Sequence, residues 1–194
     1  MSICAQHCVR VLSSHDIRRT RRLVGWQKIG EPKRDSANEH GIVKMDGKRF
    51  VSEDFVIPQV LETEHFRLRM LSVDDVEKDY EAVMETQERF HSMGYDWPRE
   101  GFTIEENLAD LKQHQREFLD REAFAYTVVS LDESRVLGCV YINPAEMDDI
   151  DARLRMWVRQ SEYRKGVDPI LFREVKKWID SAWPFTKVIY PDRE

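Results

Sequence analysis

From residue 56 onward the apolar residues recur with two alternating periods, and the switches between them mark out the elements. Between Glu64 and Leu71, Phe66, Leu68 and Met70 fall on one face and Arg67 and Arg69 on the other, the pattern of a half-buried strand. Ser72 then stands as an N-cap with Asp75 three residues on, a capping-box arrangement, and Val73, Val76, Tyr80, Val83 and Met84 follow at helical spacing to about residue 87. After a loop holding Gly94, Trp97, Pro98 and Gly101, Thr103 and Glu106 form a second capping box. Ile104, Leu108, Leu111, Phe118 and Leu119 carry that helix to about residue 121. Stretches 124–130 and 135–142 flank the turn 131–134 and predict an antiparallel hairpin. Leu154, Met156 and Val158 alternate with Arg155 and Trp157 in a further strand over 153–158. Asp168 as N-cap and Pro169 at the first helical position open a long helix with Ile170, Leu171, Val175, Trp178, Ile179 and Ala182 on its apolar face. Pro184 stops it, and 187–190 is a last strand. The order β-α-α-β-β-β-α-β predicts an α+β fold: a mixed, mostly antiparallel sheet with helices on both faces.

The first 55 residues lack any such period and read as a basic, disordered extension ahead of a domain over 56–194, because they offer too little apolar surface to offset the entropy of ordering. Charge supports the division. Residues 1–60 hold 11 Lys and Arg against 7 Asp and Glu, and the remaining 134 hold 19 against 29, so a leader of +4 precedes a body of −10. Arg18, Arg19, Arg21 and Arg22 allow an organelle-targeting peptide, an export signal or a nucleic-acid arm. His15-Asp16, the short run Leu23-Val24-Gly25-Trp26 and the lack of a stacking module argue against each in turn. A plain tail, or a true start at Met45, is the simpler reading. No run reaches the ~18 apolar residues of a membrane helix. Three cysteines, Cys4, Cys8 and Cys139, form neither a disulfide framework nor a zinc pattern, so a reducing, cytoplasmic setting is expected, with no metal and no membrane or nucleic-acid partner.

Two stretches carry a family resemblance. Leu61-Glu62-Thr63-Glu64-His65-Phe66-Arg67-Leu68-Arg69 resembles the opening strand, written LETERLRLR, of many GCN5-related N-acetyltransferases. Val136-Leu137-Gly138-Cys139-Val140-Tyr141-Ile142 resembles their third strand. The resemblance covers 57–194 and implies an acyl-CoA N-acyltransferase-like fold that moves an acetyl group from acetyl-CoA to a primary amine. It implies that the backbone at Trp157 and Val158 holds the pantetheine arm. It also implies that Arg159, Arg164, Lys165, Gly166 and Val167 meet the pyrophosphate at the mouth of the next helix, where unpaired N–H groups favour anions. Phe90, Tyr95 and Trp97 fall where the family admits its acceptor, and either line that pocket or plug the sheet edge.

The chain departs from the family in three places. Only Gly166 matches the glycines of the phosphate loop, while Tyr163 stands at its leading Gln/Arg and Asp168 at its second small residue; a carboxylate there opposes phosphate by roughly 1–4 kcal/mol. The fourth strand carries no acid, and the tyrosine that serves the family as acid lies beyond Glu194, so no catalytic residue is assigned. A non-catalytic module of the same fold, binding a small molecule or a protein, therefore stands as the alternative to the enzyme. The strand at 187–190 leaves an open sheet edge, which predicts a homodimer or another partner covering that edge. Elsewhere, Cys139 reads as a packed thiol, Glu146, Asp148, Asp149 and Asp151 as a solvated acidic turn, and His65, His91 and His114 as dispersed surface or loop histidines.

Overall fold

The computed structural model describes residues 50–191 and Arg193; the readings of residues 1–49 as a leader, an arm or a late start lie outside the described residues. Six strands form one sheet in sequence order: β1 (Val60–Glu62), β2 (Arg67–Met70), β3 (Phe124–Val129), β4 (Val136–Pro144), β5 (Ala152–Val158) and β6 (Val188–Ile189). Every neighbouring pair is antiparallel except β5–β6, which is parallel. The helices are α1 (Val76–Ser92), α2 (Ile104–Leu119), α3 (Gln160–Arg164) and α4 (Val167–Ala182). This is the mixed, mostly antiparallel α+β sheet that the element order predicts.

Successive strand residues point to opposite faces, and each face has its own core. Tyr126, Val128, Val140, Ile142, Leu154, Met156 and Val158 meet Leu171, Val175, Trp178 and Ile179 of α4 on one side. Ala125, Val129, Cys139, Tyr141 and Trp157 meet Ala82, Val83 and Phe90 of α1 and Leu111 of α2 on the other. β3 is buried along its whole length, as a central strand covered on both faces must be. The capping box at Thr103 and Glu106 forms as read. No helix of the described residues is long and apolar enough to cross a membrane.

Several boundaries differ from the sequence reading, each for a local reason. The opening strand is a hairpin. Thr63 Oγ1 accepts from the N–H groups of His65 and Phe66 at 3.2 and 3.1 Å, a side-chain turn that interrupts the strand after Glu62 and restarts it at Arg67. Ser72 caps a short 3-10 turn over Val73–Asp75 by accepting from Asp74 N–H. Asp75 completes no capping box; its carboxylate takes both ends of the Arg69 guanidinium at 2.7 and 3.0 Å. Residues ahead of 56 also pack on this fold. Phe50 stacks on Phe124 and Phe185 at 5.6 and 5.1 Å, Val51 is buried, and Phe55 packs on Trp183. Arg121 ties this segment down by donating to the carbonyls of Ser52 and Phe55 at 2.6 and 2.8 Å. Three apolar residues without a period leave no signal in the sequence, yet they close one end of the α4-side core.

The outer strand β6 pairs with β5 at only two positions, Ala152 with Val188 and Arg153 with Ile189. The edge on which a second copy was expected to pair is therefore short. Asp151, from the stretch read as a solvated acidic turn, fixes this junction: its Oδ2 accepts from the N–H groups of Thr186 and Lys187 at 2.7 and 2.8 Å. Replacing Asp151 with alanine is expected to cost about 1–2 kcal/mol, since two charge-assisted backbone bonds are lost at an exposed site. A urea midpoint unchanged from wild type would rule out that role.

Candidate functional site

β5 and β6 touch only near their starts, and the remainder of β5 runs on without β6 beside it. Register decides which backbone groups face the resulting gap. Arg159 N–H donates to Leu137 O at 2.7 Å, and bonded and non-bonded residues alternate along an antiparallel pair. Trp157 accordingly turns its N–H and C=O into the ladder with β4, while Met156 and Val158 turn theirs into the gap. Of the two residues expected to hold a pantetheine arm, Val158 turns its backbone into the gap. Trp157 instead sends its ring into the α1-side core, edge-on to Phe90 at 5.5 Å.

β4 closes onto β5 at this level because residue 138 has no side chain. A Cβ on Gly138 would lie 1.9 Å from Trp157 O and 2.8 Å from Val158 Cα.

Beyond β5 the stretch expected to be a phosphate loop coils into α3, and α4 begins at Val167 with Gly166 as its N-cap. Gly166 is left-handed at φ +77°, which glycine adopts without strain, and among the described residues no atom outside its own stretch of chain lies within 4 Å of the place where a side chain would start. No side chain caps this helix end. The reading of Asp168 as N-cap is thereby corrected: it sits inside the first turn, and Pro169 follows it. The glycine takes the non-helical position because a tight turn out of α3 demands a positive φ there.

The expected phosphate-binding cations divide between two situations. Arg159 is buried and committed. Its guanidinium bonds Glu85 through both Nε (2.6 Å) and Nη2, Glu81 at 2.6 Å and Val136 O at 3.2 Å. Burial works against the charge, but the Glu85 and Glu81 bonds outweigh it and raise the Arg159 pKa. Burial likewise raises Glu85, yet the bonds from Arg159 and Ser161 hold it down at about 2. The other Glu85 oxygen accepts from Ser161 N–H at 2.6 Å, so this carboxylate occupies the start of α3. Lys165 pairs with Glu162 at 2.9 Å, whereas Arg164 is exposed and makes no ion pair among the described residues.

Two further arginines reach the gap. Arg89, on α1, donates to Val158 O and lies 4.4 Å from the Tyr163 ring centre. Burial lowers its pKa, against the attraction of Asp168. Arg193 donates to Met156 O at 3.3 Å and pairs with both oxygens of Asp168. Sequence reasoning missed Glu81, Glu85 and Arg89, although their spacing of four residues announces one face of a helix. Arg193 gave no such signal, because its partners lie 25 and 37 positions away.

The three aromatics come together: Phe90 meets Tyr95 edge-on at 6.3 Å and Trp97 at 5.6 Å, and Trp97 continues to Phe102. Phe90 is buried, while Tyr95 and Trp97 are partly exposed. Beside them lies an open depression of about 410 Å³ lined by His91, Gly94, Tyr95, Asp96, Arg99 and Glu100. Cys139 is buried in mid-strand, and burial together with Asp79 pushes its thiol well above the ordinary value, as a packed thiol requires.

No family model and no curated protein matches the chain. Solved structures do. The ribosomal-protein-S5-alanine acetyltransferase from Vibrio fischeri superposes with a TM-score of 0.56 at 21% identity, over 71% of this chain and 77% of that one. RimL, a ribosomal L7/L12 α-N-protein acetyltransferase in complex with coenzyme A, gives 0.57 at 14% identity, over 68% and 73%. The microcin C7 self-immunity acetyltransferase MccE, in complex with acetyl-CoA and AMP, gives 0.55 at 13% identity, over 66% and 69%. The chain has the fold of these acetyltransferases, the acyl-CoA N-acyltransferase-like fold that its two resembling strands imply.

Proposed function

We propose that the protein is an N-acetyltransferase that moves an acetyl group from acetyl-CoA to a primary amine. The observation that carries this reading is the edge of β5 at Met156 and Val158, which β6 does not pair, opening beside the start of α4, which no side chain caps. Strand N–H and C=O groups match the two amides of a pantetheine arm, and a helix N-terminus with open space at Gly166 suits a pyrophosphate. Val158 and Met156 would hold the arm; Gly166, Val167, Arg164 and Lys165 would meet the phosphates. Arg159 would act as a positioning residue, fixing the end of β5 to α1 through Glu85 and Glu81. The solved structures of this fold that hold coenzyme A or acetyl-CoA support the choice of carrier.

Acetyl-CoA supplies an activated thioester, and the protein's part is to place an amine against it. In the transfer the C–N bond forms as the C–S bond breaks, the nitrogen sheds one proton, and the departing thiolate takes up one, so that an amide and free thiol result. Approximation of the two groups alone contributes about 7–11 kcal/mol, which suits a site without an assigned acid or base. The depression beside Phe90, Tyr95 and Trp97 is the proposed acceptor entrance. Neighbours of the fold include a ribosomal-protein-S5-alanine acetyltransferase and a ribosomal L7/L12 α-N-protein acetyltransferase, which supports an amine as the acceptor class.

Calorimetric titration of acetyl-CoA into the full chain tests the reading. Binding in the micromolar range is expected, weakened about tenfold in Arg164→Glu, equivalent to about 1.4 kcal/mol. No heat in the wild-type protein would overturn the enzyme and leave a binding module on the same fold.

A further inference from the structure

The gap that the proposed function assigns to a pantetheine arm already has an occupant. After β6 the chain turns, with Arg193 N–H donating to Tyr190 O at 3.0 Å, and sends the Arg193 side chain back across the opening. The guanidinium donates to Met156 O on the free edge of β5 at 3.3 Å and clasps both oxygens of Asp168 on α4, one of them at 2.8 Å. It lies over the Phe172 ring at 5.4 Å, and Tyr190 packs edge-on against the same ring at 5.3 Å. Arg89 approaches from the other side and donates to Val158 O. The carbonyls that Met156 and Val158 turn into the gap are thus both covered by arginine donors, in the positions where an amide-bearing chain laid along the strand would place its N–H groups.

We infer that the Arg193–Asp168 pair is a gate across the carrier site, which closes the free edge of β5 and must open for an acyl carrier to enter. The inference rests on the acetyl-CoA reading and concerns the regulation of that same site. A strand carbonyl at this edge cannot serve Arg193 and a pantetheine amide in the same geometry, so binding has to displace the guanidinium. The pair also has a second, opposing effect. Asp168 stands in the first turn of α4, and Arg193 neutralises it; removing the arginine alone would bare a negative charge at the place proposed for the pyrophosphate. Opening the gate without that penalty requires both side chains to change. The Asp168→Asn/Arg193→Ala double variant does so, and because it removes one charge of each sign the formal net charge stays at −6.

The test compares wild type, Arg193→Ala and the double variant, each as the full chain, by calorimetric titration with acetyl-CoA. The double variant is expected to bind at least tenfold tighter than wild type, with Arg193→Ala between them. A double variant that binds no tighter than wild type would overturn the gate while sparing the carrier reading. No heat from any of the three would overturn both. A readout on the wild-type protein covers a variant that fails to fold: the Arg193 Nε–H resonance must move when acetyl-CoA saturates the protein, and a stationary resonance overturns the gate.

Discussion

Gly138→Ala is expected to destabilise the domain by at least ~3 kcal/mol, a larger loss than ordinary overpacking brings. The three nearest atoms to the new Cβ are Trp157 O at 1.9 Å, Trp157 C at 2.8 Å and Val158 Cα at 2.8 Å. All belong to the backbone of β5, so no side chain can swing aside, and relief requires the two strands to part. They part at a costly place. Gly138 pairs with Val128 on one side and Val158 on the other, next to the register shift between Val128 and Val129. Arg159, one residue on, is anchored to Val136 O and to α1. For a domain of this size each kcal/mol shifts Tm by about 2–4 °C, which gives a fall of roughly 6–12 °C in thermal unfolding. Gly166→Ala is the control: open space surrounds it, and the cost is the left-handed backbone alone, about 1 kcal/mol. Similar melting temperatures for the two variants would refute the close-approach account.

Gly138 also shows what the sequence does and does not reveal. Its position in a stretch resembling the family's third strand is visible at once, but the reason for the glycine is a backbone 19 and 20 residues further on, known only when β5 is in place. The long, strongly periodic elements were legible because burial of one face imposes a period: β3, β4, β5 and α2 fall within two residues of their expected bounds. Short elements were not. β1 and β6 have three and two residues and exist through pairing rather than pattern, and α3 turns a stretch that reads as loop into helix because Glu85 accepts from the Ser161 N–H. The candidate site divides in the same way. The aromatics Phe90, Tyr95 and Trp97, singled out from their place between the first two helices, do meet, and Gly166, singled out from the resembling loop, does stand at the start of α4. The fate of Arg159 and Asp168 was hidden, since both meet partners from distant elements: Glu81 and Glu85 on α1, and Arg193 after β6. A charged residue's composition says that it can pair, and only the fold says with what.

Asp79 makes the second large prediction, and its sign is opposite to that of the other shifted carboxylates. It lies on α1 facing the sheet and is 5% exposed. Asn107 on α2 donates to one oxygen at 3.0 Å, and the Cys139 thiol on β4 approaches the other at 3.6 Å. Burial pushes its pKa from the ordinary 3.8 up to about 6, against the Asn107 and Cys139 bonds and His114, and with help from Asp75. The folded state therefore binds this proton more tightly than the unfolded chain. The stability it confers is complete below about pH 4, declines as pH rises towards 6 and is absent above that. About two pKa units correspond to roughly 3 kcal/mol. Asp79→Asn, which keeps the shape and removes the charge, is expected to raise the unfolding free energy by about 2–3 kcal/mol at pH 7.5 and to leave it near wild type at pH 4. The other shifted carboxylates do not blur this window. Glu85, Asp75, Glu117, Asp132, Glu133 and Glu174 have lowered pKa values and act below about pH 4.5, where stability is lost as pH falls. Urea unfolding of both proteins between pH 4.5 and 7.5 decides the matter, and parallel curves would mean that the carboxylate is already hydrated or protonated throughout. A buried acid at this cost ties α1 to both α2 and β4 through one side chain. The asparagine variant then separates the two contributions: the hydrogen-bonded tie persists at every pH, and only the charge is removed.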